Sequence, residues 1–155
     1  MDIYERLKEL NIELPSPPPP GGLYSPIKYF GDKLIYTSGV GPTDSTGAAV
    51  YTGILGRDIS IEEGAAAARL ATLNILGVLH AQLGDLNKVK SIVKQLGFVA
   101  CTDDFYSQPA VMNGSTKLLM DVFGDSEGRP ARSAIATNAL PGNIPVEIEL
   151  LIELK

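Results

Sequence analysis

Apolar residues recur at intervals of three and four in three segments of the chain, which predicts three helices. The first lies within residues 2–13, where Ile3, Leu7 and Leu10 stand among charged residues. The second and longest begins at Ser60-Ile61-Glu62-Glu63, a capping box, and ends at Gly84. Its apolar stripe consists of Ile61, Ala65, Ala68, Thr72, Ile75, Leu79 and Leu83.

The third helix is predicted over Ser107 to Phe123, with Pro109 tolerated in its first turn. Its expected buried side consists of Val111, Leu118, Leu119, Val122 and Phe123. The two acids before it, Asp103 and Asp104, are expected to act as helix caps rather than as metal ligands, because no other ligand type stands near them.

Other segments are rich in β-formers or alternate between apolar and polar residues, which predicts strands. A hairpin is predicted from Lys28–Phe30 and Lys33–Ser38, joined by a turn at Gly31-Asp32. Further strands are predicted over residues 89–101, 131–137 and 145–153, and an additional short one over 50–55. This order of elements predicts an α+β fold in which two long helices pack on one face of a mixed sheet.

The final strand carries different residues on its two faces. Its apolar positions are expected to lie under the helices, whereas Glu147, Glu149, Leu151 and Glu153 point the other way. Two helices cover only one side of a sheet, so this second, half-polar face meets either water or another subunit.

Proline dominates the segment Pro15–Gly22, which is therefore predicted to be extended and free of backbone ladders. A rigid connector is favoured over a docking motif, because no basic residues flank the run. The expected organisation is an N-terminal helix and polyproline arm over residues 1–20, followed by one domain over 21–155.

Composition narrows the class of protein. The 155 residues are 45% hydrophobic and 20% charged, enough for one domain with its own core. The single cysteine, Cys101, and the single histidine, His80, argue against a disulfide framework and a histidine-rich metal site, so no metal is expected. Both residues are expected to be structural. A reducing, cytoplasmic location is predicted.

Charge and hydropathy bear on the partners. The net charge of −5 and the scattered basic residues argue against nucleic acid as a partner. The acidic start of the chain is unlike a signal peptide, and no stretch is expected to reach the about 20 apolar residues of a membrane span. Neither nucleic acid nor membrane is therefore an expected partner.

Arg132 and Glu147 are the main candidates for chemistry. They lie fifteen residues apart on two strand-like segments. A guanidinium can bind a planar carboxylate through two parallel hydrogen bonds, and a nearby glutamate can orient a water molecule against the bound molecule. Ser38 is not expected to be a nucleophile, because nothing identifies His80 as its base.

Several short motifs, taken in order, resemble the RidA/YjgF family of reactive-intermediate deaminases, also known as the endoribonuclease L-PSP family. The resemblance covers roughly residues 21–155. The motifs are Tyr24-Ser25-Pro26, Tyr36-Thr37-Ser38-Gly39, Asn113, Pro130-Ala131-Arg132-Ser133, Leu140-Pro141-Gly142 and Val146-Glu147-Ile148-Glu149.

The resemblance implies a chorismate-mutase-like α+β fold, a barrel-like homotrimer with a cleft at each subunit interface, and no cofactor. Arg132 would hold the carboxylate of a small 2-imino acid, and Glu147 would activate the water that releases ammonia and leaves a 2-oxo acid. Tyr24, Ser38, Gly39 and Asn113 would bind the substrate together with Arg132.

Some residues depart from the family pattern. Ala134 stands where many members have cysteine, and Val40 stands where glutamine is frequent. The N-terminal helix and arm are additions relative to the better-studied deaminases, so the sequence does not identify the substrate. The expected function is cofactor-independent hydrolysis of 2-imino or enamine acids. The alternative is a non-catalytic protein of the same fold that binds a small carboxylate or acts in a stress response.

Overall fold

The computed structural model describes all residues from Met1 to Lys155. Four helices are present: α1 (Ile3–Glu9), α2 (Ile61–Leu83), α3 (Gln108–Phe123) and the short α4 (Asp125–Gly128). Five strands form one sheet: β1 (Ile27–Phe30), β2 (Leu34–Thr37), β3 (Val89–Ala100), β4 (Ala131–Thr137) and β5 (Val146–Leu154). The mixed α+β fold is therefore confirmed.

The strands lie in the order β1-β2-β5-β3-β4, so the last strand of the chain occupies the centre of the sheet. β5 runs antiparallel to both of its neighbours, β2 and β3. β4 pairs with β3 in parallel and forms one edge of the sheet. This order brings together segments that are far apart in sequence.

Helix α2 begins and ends where the local signals predict. The Ser60 side chain accepts a hydrogen bond from the Glu63 N–H, and the Glu63 carboxylate accepts one from the Ser60 N–H. Gly84 ends the helix with a left-handed backbone, at φ 74°. The capping box and the glycine stop are both confirmed.

The core lies between the sheet and the two long helices. Val146, Ile148, Leu150 and Ile152 of β5 are fully buried on the sheet face that α2 covers, as the alternation along this strand predicts. The helices touch each other closely at Gly114, where an added Cβ would overlap the backbone carbonyl oxygen of Ala65. Burial of these apolar surfaces supplies the main stabilisation of the fold.

The N-terminal segment packs onto the domain. Ile3 and Leu7 of α1 are buried in the same core as the helices and sheet. The Tyr4 hydroxyl bonds His80 Nδ1 at 2.9 Å and accepts a hydrogen bond from the Leu86 N–H. His80 therefore has a structural contact, and the core shows no break at residue 20.

Two expectations about local structure were wrong. Residues 50–55 form no strand: Leu55 is fully buried but makes only isolated bridges, and Gly53 and Gly56 take positive φ angles beside it. The start of α3 has no side-chain cap: Ser107 occupies the N-cap position without a capping hydrogen bond, and Asp104 accepts a hydrogen bond from the Thr102 hydroxyl instead.

Helix α2 is long and apolar enough to cross a membrane by length and composition, so the expectation that no stretch would reach this limit was wrong. In the structure, 61% of its most apolar window is buried inside the domain. Core helices commonly meet the same criterion, so this observation is weak support for a membrane span.

Candidate functional site

Arg132 lies on the edge strand β4 and reaches the side of helix α3. Its Nη1 donates to Asn113 Oδ1 at 2.9 Å and to Thr116 Oγ1 at 3.0 Å, and its Nη2 donates to the Pro109 carbonyl oxygen at 3.4 Å. Partial burial lowers the pKa of the guanidinium, which nevertheless remains a cation at neutral pH. Three neutral acceptors thus fix its orientation.

Thr116 was not predicted from the sequence, yet it links Arg132 to the core. Its hydroxyl accepts from Arg132 and donates to Oε1 of the fully buried Gln95 at 2.9 Å. Thr116 follows Asn113 by three residues, so both side chains lie on one face of α3. The three-residue spacing from Asn113 was the signal in the sequence that could have identified Thr116 as a partner of Arg132.

A cleft of about 470 Å³ surrounds the Arg132 head group. Two other cations line it, but each already has a carboxylate partner: Lys117 bonds Asp121 at 3.0 Å, and Arg129 bonds Asp125. No carboxylate pairs with Arg132. Arg132 is therefore the cation in this cleft that is free to bind an anion.

Glu147 lies on β5, on the sheet face opposite the helices, which we call the open face. An added Cβ on Gly39 would overlap its Oε1, so the absence of a side chain at residue 39 gives the carboxylate its room. Burial, and to a smaller extent the charge of Glu149, raises the pKa of the Glu147 carboxyl above its ordinary value. The raised pKa moves this group toward the range useful for a general acid or base.

The neighbouring carboxylate of Glu149 is held differently. It accepts a hydrogen bond from the Tyr36 hydroxyl at 2.5 Å across the open face. No donor of the chain bonds the Glu147 carboxylate. Of these two acids, Glu147 is therefore the one whose oxygens are available to water or substrate.

Three of the predicted binding residues line a second cleft, of about 400 Å³, between the proline arm, α2 and the end of β2. The Tyr24 ring stands half exposed at its rim, with its hydroxyl accepting from the Gly21 N–H at 3.1 Å. The Ser38 hydroxyl donates to the Ser25 carbonyl oxygen at 2.6 Å. Gly39 belongs to this cleft and also contacts Glu147.

A single chain does not bring Arg132 and Glu147 together. On β3, Arg132 pairs with Gln95 and Glu147 pairs with Phe98. Side chains alternate along a strand, so residues three apart point to opposite faces. The two strands flank β3, so their backbones lie about 10 Å apart across the sheet. The predicted residues thus form two half-sites, one with Arg132 and Asn113 and one with Glu147, Gly39, Ser38 and Tyr24.

Comparison with known proteins supports the fold and the family resemblance. Residues 4–154 match the model of the family described as "YjgF/chorismate mutase-like, putative endoribonuclease". That match begins within helix α1 and spans the proline arm.

Individual relatives are similar over nearly their whole length. Protein TCP17 of Trypanosoma cruzi is 38% identical over 152 residues, which cover 98% of this chain and 94% of TCP17. The crystal structure of Atu1372 from Agrobacterium tumefaciens is 39% identical with a TM-score of 0.89, covering 99% of this chain and 92% of that one. RidA from an Antarctic Psychrobacter is 26% identical with a TM-score of 0.61, covering 90% and 94%.

The match to the family model spans almost the entire chain, and two of these relatives exceed one third identity. The structure shows the sheet order and the two long helices without reference to any relative. On these grounds the chain belongs to the YjgF/chorismate-mutase-like family.

Proposed function

We propose that this protein hydrolyses reactive 2-imino and enamine acids to 2-oxo acids and ammonia, without a cofactor. One observation carries the proposal: the chain presents an unpaired, oriented guanidinium at Arg132 and an unbonded carboxylate with a raised pKa at Glu147. The first group suits a substrate carboxylate, and the second suits the activation of water. The resemblance to RidA supports the same chemistry.

In the proposed reaction, Arg132 binds the substrate carboxylate and holds the imine carbon at a fixed position. Glu147 takes a proton from water as the water oxygen bonds to the carbon of the protonated imine, and the electron pair of the C=N bond moves to nitrogen, which becomes a neutral amino group. Glu147 then gives that proton to the amino nitrogen, which becomes an ammonium group. The C–N bond breaks with its electron pair staying on nitrogen, the hydroxyl gives its proton to the Glu147 carboxylate as the C=O bond forms, and ammonia and the 2-oxo acid leave.

This chemistry requires the two half-sites to meet, which we propose happens between chains. The open face carries exposed or half-buried apolar side chains in addition to its acids, including Phe30 at 46% and Ile135 at 44% exposure. Each site would join two different surfaces, the Arg132 half-site of one copy and the Glu147 half-site of another, which a head-to-tail contact provides. A head-to-tail contact gives a finite assembly only when it closes into a ring, and we propose a trimer.

The assembly has a direct test in solution. Light scattering is expected to give three times the chain mass of 16.5 kDa at micromolar protein concentration. A stable monomer would leave Arg132 and Glu147 on separate faces and would remove the proposed active site.

The activity is tested with 2-iminopropanoate and 2-iminobutanoate generated in place by an amino-acid oxidase. Ammonia release should exceed the spontaneous rate when the protein is added. Equal rates with and without the protein would contradict deaminase activity on these substrates. The Arg57→Lys variant is a suitable control, since Arg57 is paired with Asp58 and lies outside both clefts.

Two variants separate binding from chemistry. Arg132→Lys keeps the charge but loses the planar fork, so binding of 2-oxobutanoate should weaken by about 1.5–3 kcal/mol, or roughly 10- to 150-fold. Glu147→Gln keeps the size of the side chain but removes the base, so turnover should fall while 2-oxobutanoate still binds. Unchanged binding in the first variant or full turnover in the second would refute the assigned role.

Mixing inactive chains tests whether each site is shared. Arg132→Ala and Glu147→Ala should each be inactive alone, whereas refolding them together should restore activity. In a randomly mixed trimer with sites between neighbours, about one quarter of the sites would combine an intact Arg132 with an intact Glu147. No recovery in verified mixed trimers would mean that the two residues do not act at a shared site.

The alternative is a protein of the same fold that binds a carboxylate without turning it over. It would show the same loss of binding in Arg132→Lys but no ammonia release above background with any imine. RNA cleavage has less support, since the chain has one histidine and a net charge of −5.

A further inference from the structure

The cleft beside Ser38 and Gly39 is larger than the reaction centre requires. It extends between the proline arm and helix α2, where Val78 and Gln82 form one wall, and its volume is about 400 Å³. Clefts of roughly 300–1,000 Å³ hold ligands larger than a few atoms. An ethyl side chain would occupy only about the volume of two water molecules, roughly 60 Å³.

The arm forms a built wall of this cleft. Pro15 lies so close to α2 that an added Cβ on Gly77 would overlap its carbonyl oxygen. Ile12 and Leu14 pack against the core before the prolines begin. Pro18 then lies across from Gly47, 3.8 Å from the position of an added Cβ. The arm is thus placed against α2 at Pro15 and against the loop at Gly47 by Pro18.

The opposite wall is held by a buried amide. Asn74 is 2% exposed, and its Nδ2 donates to the carbonyl oxygens of Gly41 at 3.0 Å and Thr43 at 2.8 Å. Both of these loop residues line the cleft. The distance between the loop and the arm is therefore set by packing and hydrogen bonds.

The lining has a definite chemistry. It consists mainly of proline, glycine and valine, with hydroxyl or amide groups at Tyr24, Ser38, Thr43 and Gln82. No lysine, arginine, histidine, aspartate or glutamate contributes to it. A charged group placed here would lose its hydration and gain no oppositely charged partner, which is unfavourable. An uncharged group avoids this cost.

We propose that this cleft receives the side chain of the substrate, so that the preferred substrates are 2-imino acids with uncharged side chains of about four or more heavy atoms. This inference rests on the proposed function, and the cleft adjoins the proposed reaction centre through Gly39, which lines the cleft and also contacts Glu147. The arm thereby helps to select the substrate side chain, although other residues carry out the reaction.

The substrate preference is tested with imines made from alanine, norleucine and glutamate. The value of kcat/KM for the norleucine-derived imine is expected to exceed that for the alanine-derived and glutamate-derived imines by at least about tenfold. Equal values for all three would overturn the specificity inference and leave the deaminase function standing.

Binding of the 2-oxo acids gives a readout that does not depend on chemistry. By calorimetry, 2-oxohexanoate is expected to bind at least about tenfold more tightly than pyruvate. That result without any turnover would support the cleft and contradict the proposed hydrolysis. Tighter binding of pyruvate would overturn the inference whatever the activity.

A substitution within the cleft completes the test. Gln82 is exposed on α2, so Gln82→Trp can fill the cleft without disturbing the core. It should reduce the affinity for 2-oxohexanoate at least about tenfold and reduce the preference over pyruvate. Arg69→Trp, at an exposed position of the same helix outside the cleft, should leave both affinities unchanged. A Gln82→Trp variant that binds 2-oxohexanoate like the unmodified protein would overturn the proposal.

Discussion

Replacing Gly77 with alanine tests how firmly the proline arm is attached. Gly77 lies inside helix α2, where alanine is intrinsically better than glycine by about 1 kcal/mol. An added Cβ, however, would overlap the carbonyl oxygen of Pro15 and lie 3.4 Å from its carbonyl carbon. The oxygen belongs to backbone, so it cannot rotate away as a side chain would.

The two effects oppose each other. Overpacking at a close contact costs about 1–3 kcal/mol, and the rigid proline backbone puts this site in the upper part of that range. Subtracting the propensity gain leaves an expected loss of about 1–2 kcal/mol in the free energy of unfolding. The alternative to straining the helix is detachment of the arm, so residues 11–20 should also become more sensitive to protease.

Urea denaturation measures the first effect and limited proteolysis the second. Ala66→Gly, at an exposed position of the same helix, calibrates the propensity difference and should cost about 1 kcal/mol. A Gly77→Ala protein that gains about 1 kcal/mol in stability and keeps the protease resistance of the arm would refute the close contact with Pro15.

Three further predictions concern Glu147, Asn74 and Gly114. Glu147 has a raised pKa, so the native state binds more protons than the unfolded state just above pH 4.5, and stability falls as pH rises through that window. Urea titrations at several pH values should therefore show Glu147→Gln gaining stability over the unmodified protein from about pH 4 to pH 7, and a constant difference would contradict this. Asn74→Ala removes two hydrogen bonds and should cost about 1–3 kcal/mol, with faster amide exchange in the loop that carries Gly41 and Thr43; unchanged exchange would contradict the role of Asn74. Gly114→Ala should lower the unfolding midpoint by an amount equivalent to about 1–2 kcal/mol, because the overlap of the added methyl with the Ala65 carbonyl oxygen outweighs the gain in helix propensity, and an unchanged midpoint would argue against that helix contact.

Local signals in the sequence predicted local structure well. The capping box at Ser60 and Glu63 and the stop at Gly84 depend on residues within a few positions of one another, and the helix has those ends. The segment 50–55 failed as a strand because Gly53, at a positive φ, interrupts its β-formers, and only Leu55 pairs with a neighbour, through isolated bridges to Ile59 and Cys101. Composition alone does not reveal how few of its residues find a pairing partner.

The site was predictable in its residues but not in its geometry. Whether Arg132 and Glu147 share a face depends on the parallel register of β4 with β3 and on the position of β5 in the sheet. Those pairings join segments that no local pattern connects. Thr116 was missed for a related reason, since its importance arises from contacts with Arg132 and Gln95 rather than from a motif.

The position of β5 at the centre of the sheet also determines when the fold can form during synthesis. β2 and β3 each need β5 as a neighbour, yet it is made about 60 residues after the end of α2. At roughly 5–20 residues per second, the apolar face of α2 waits several seconds for its complete cover. The nascent domain therefore exposes one of its most apolar segments until its last strand arrives, and chaperone binding during that interval would protect it from aggregation.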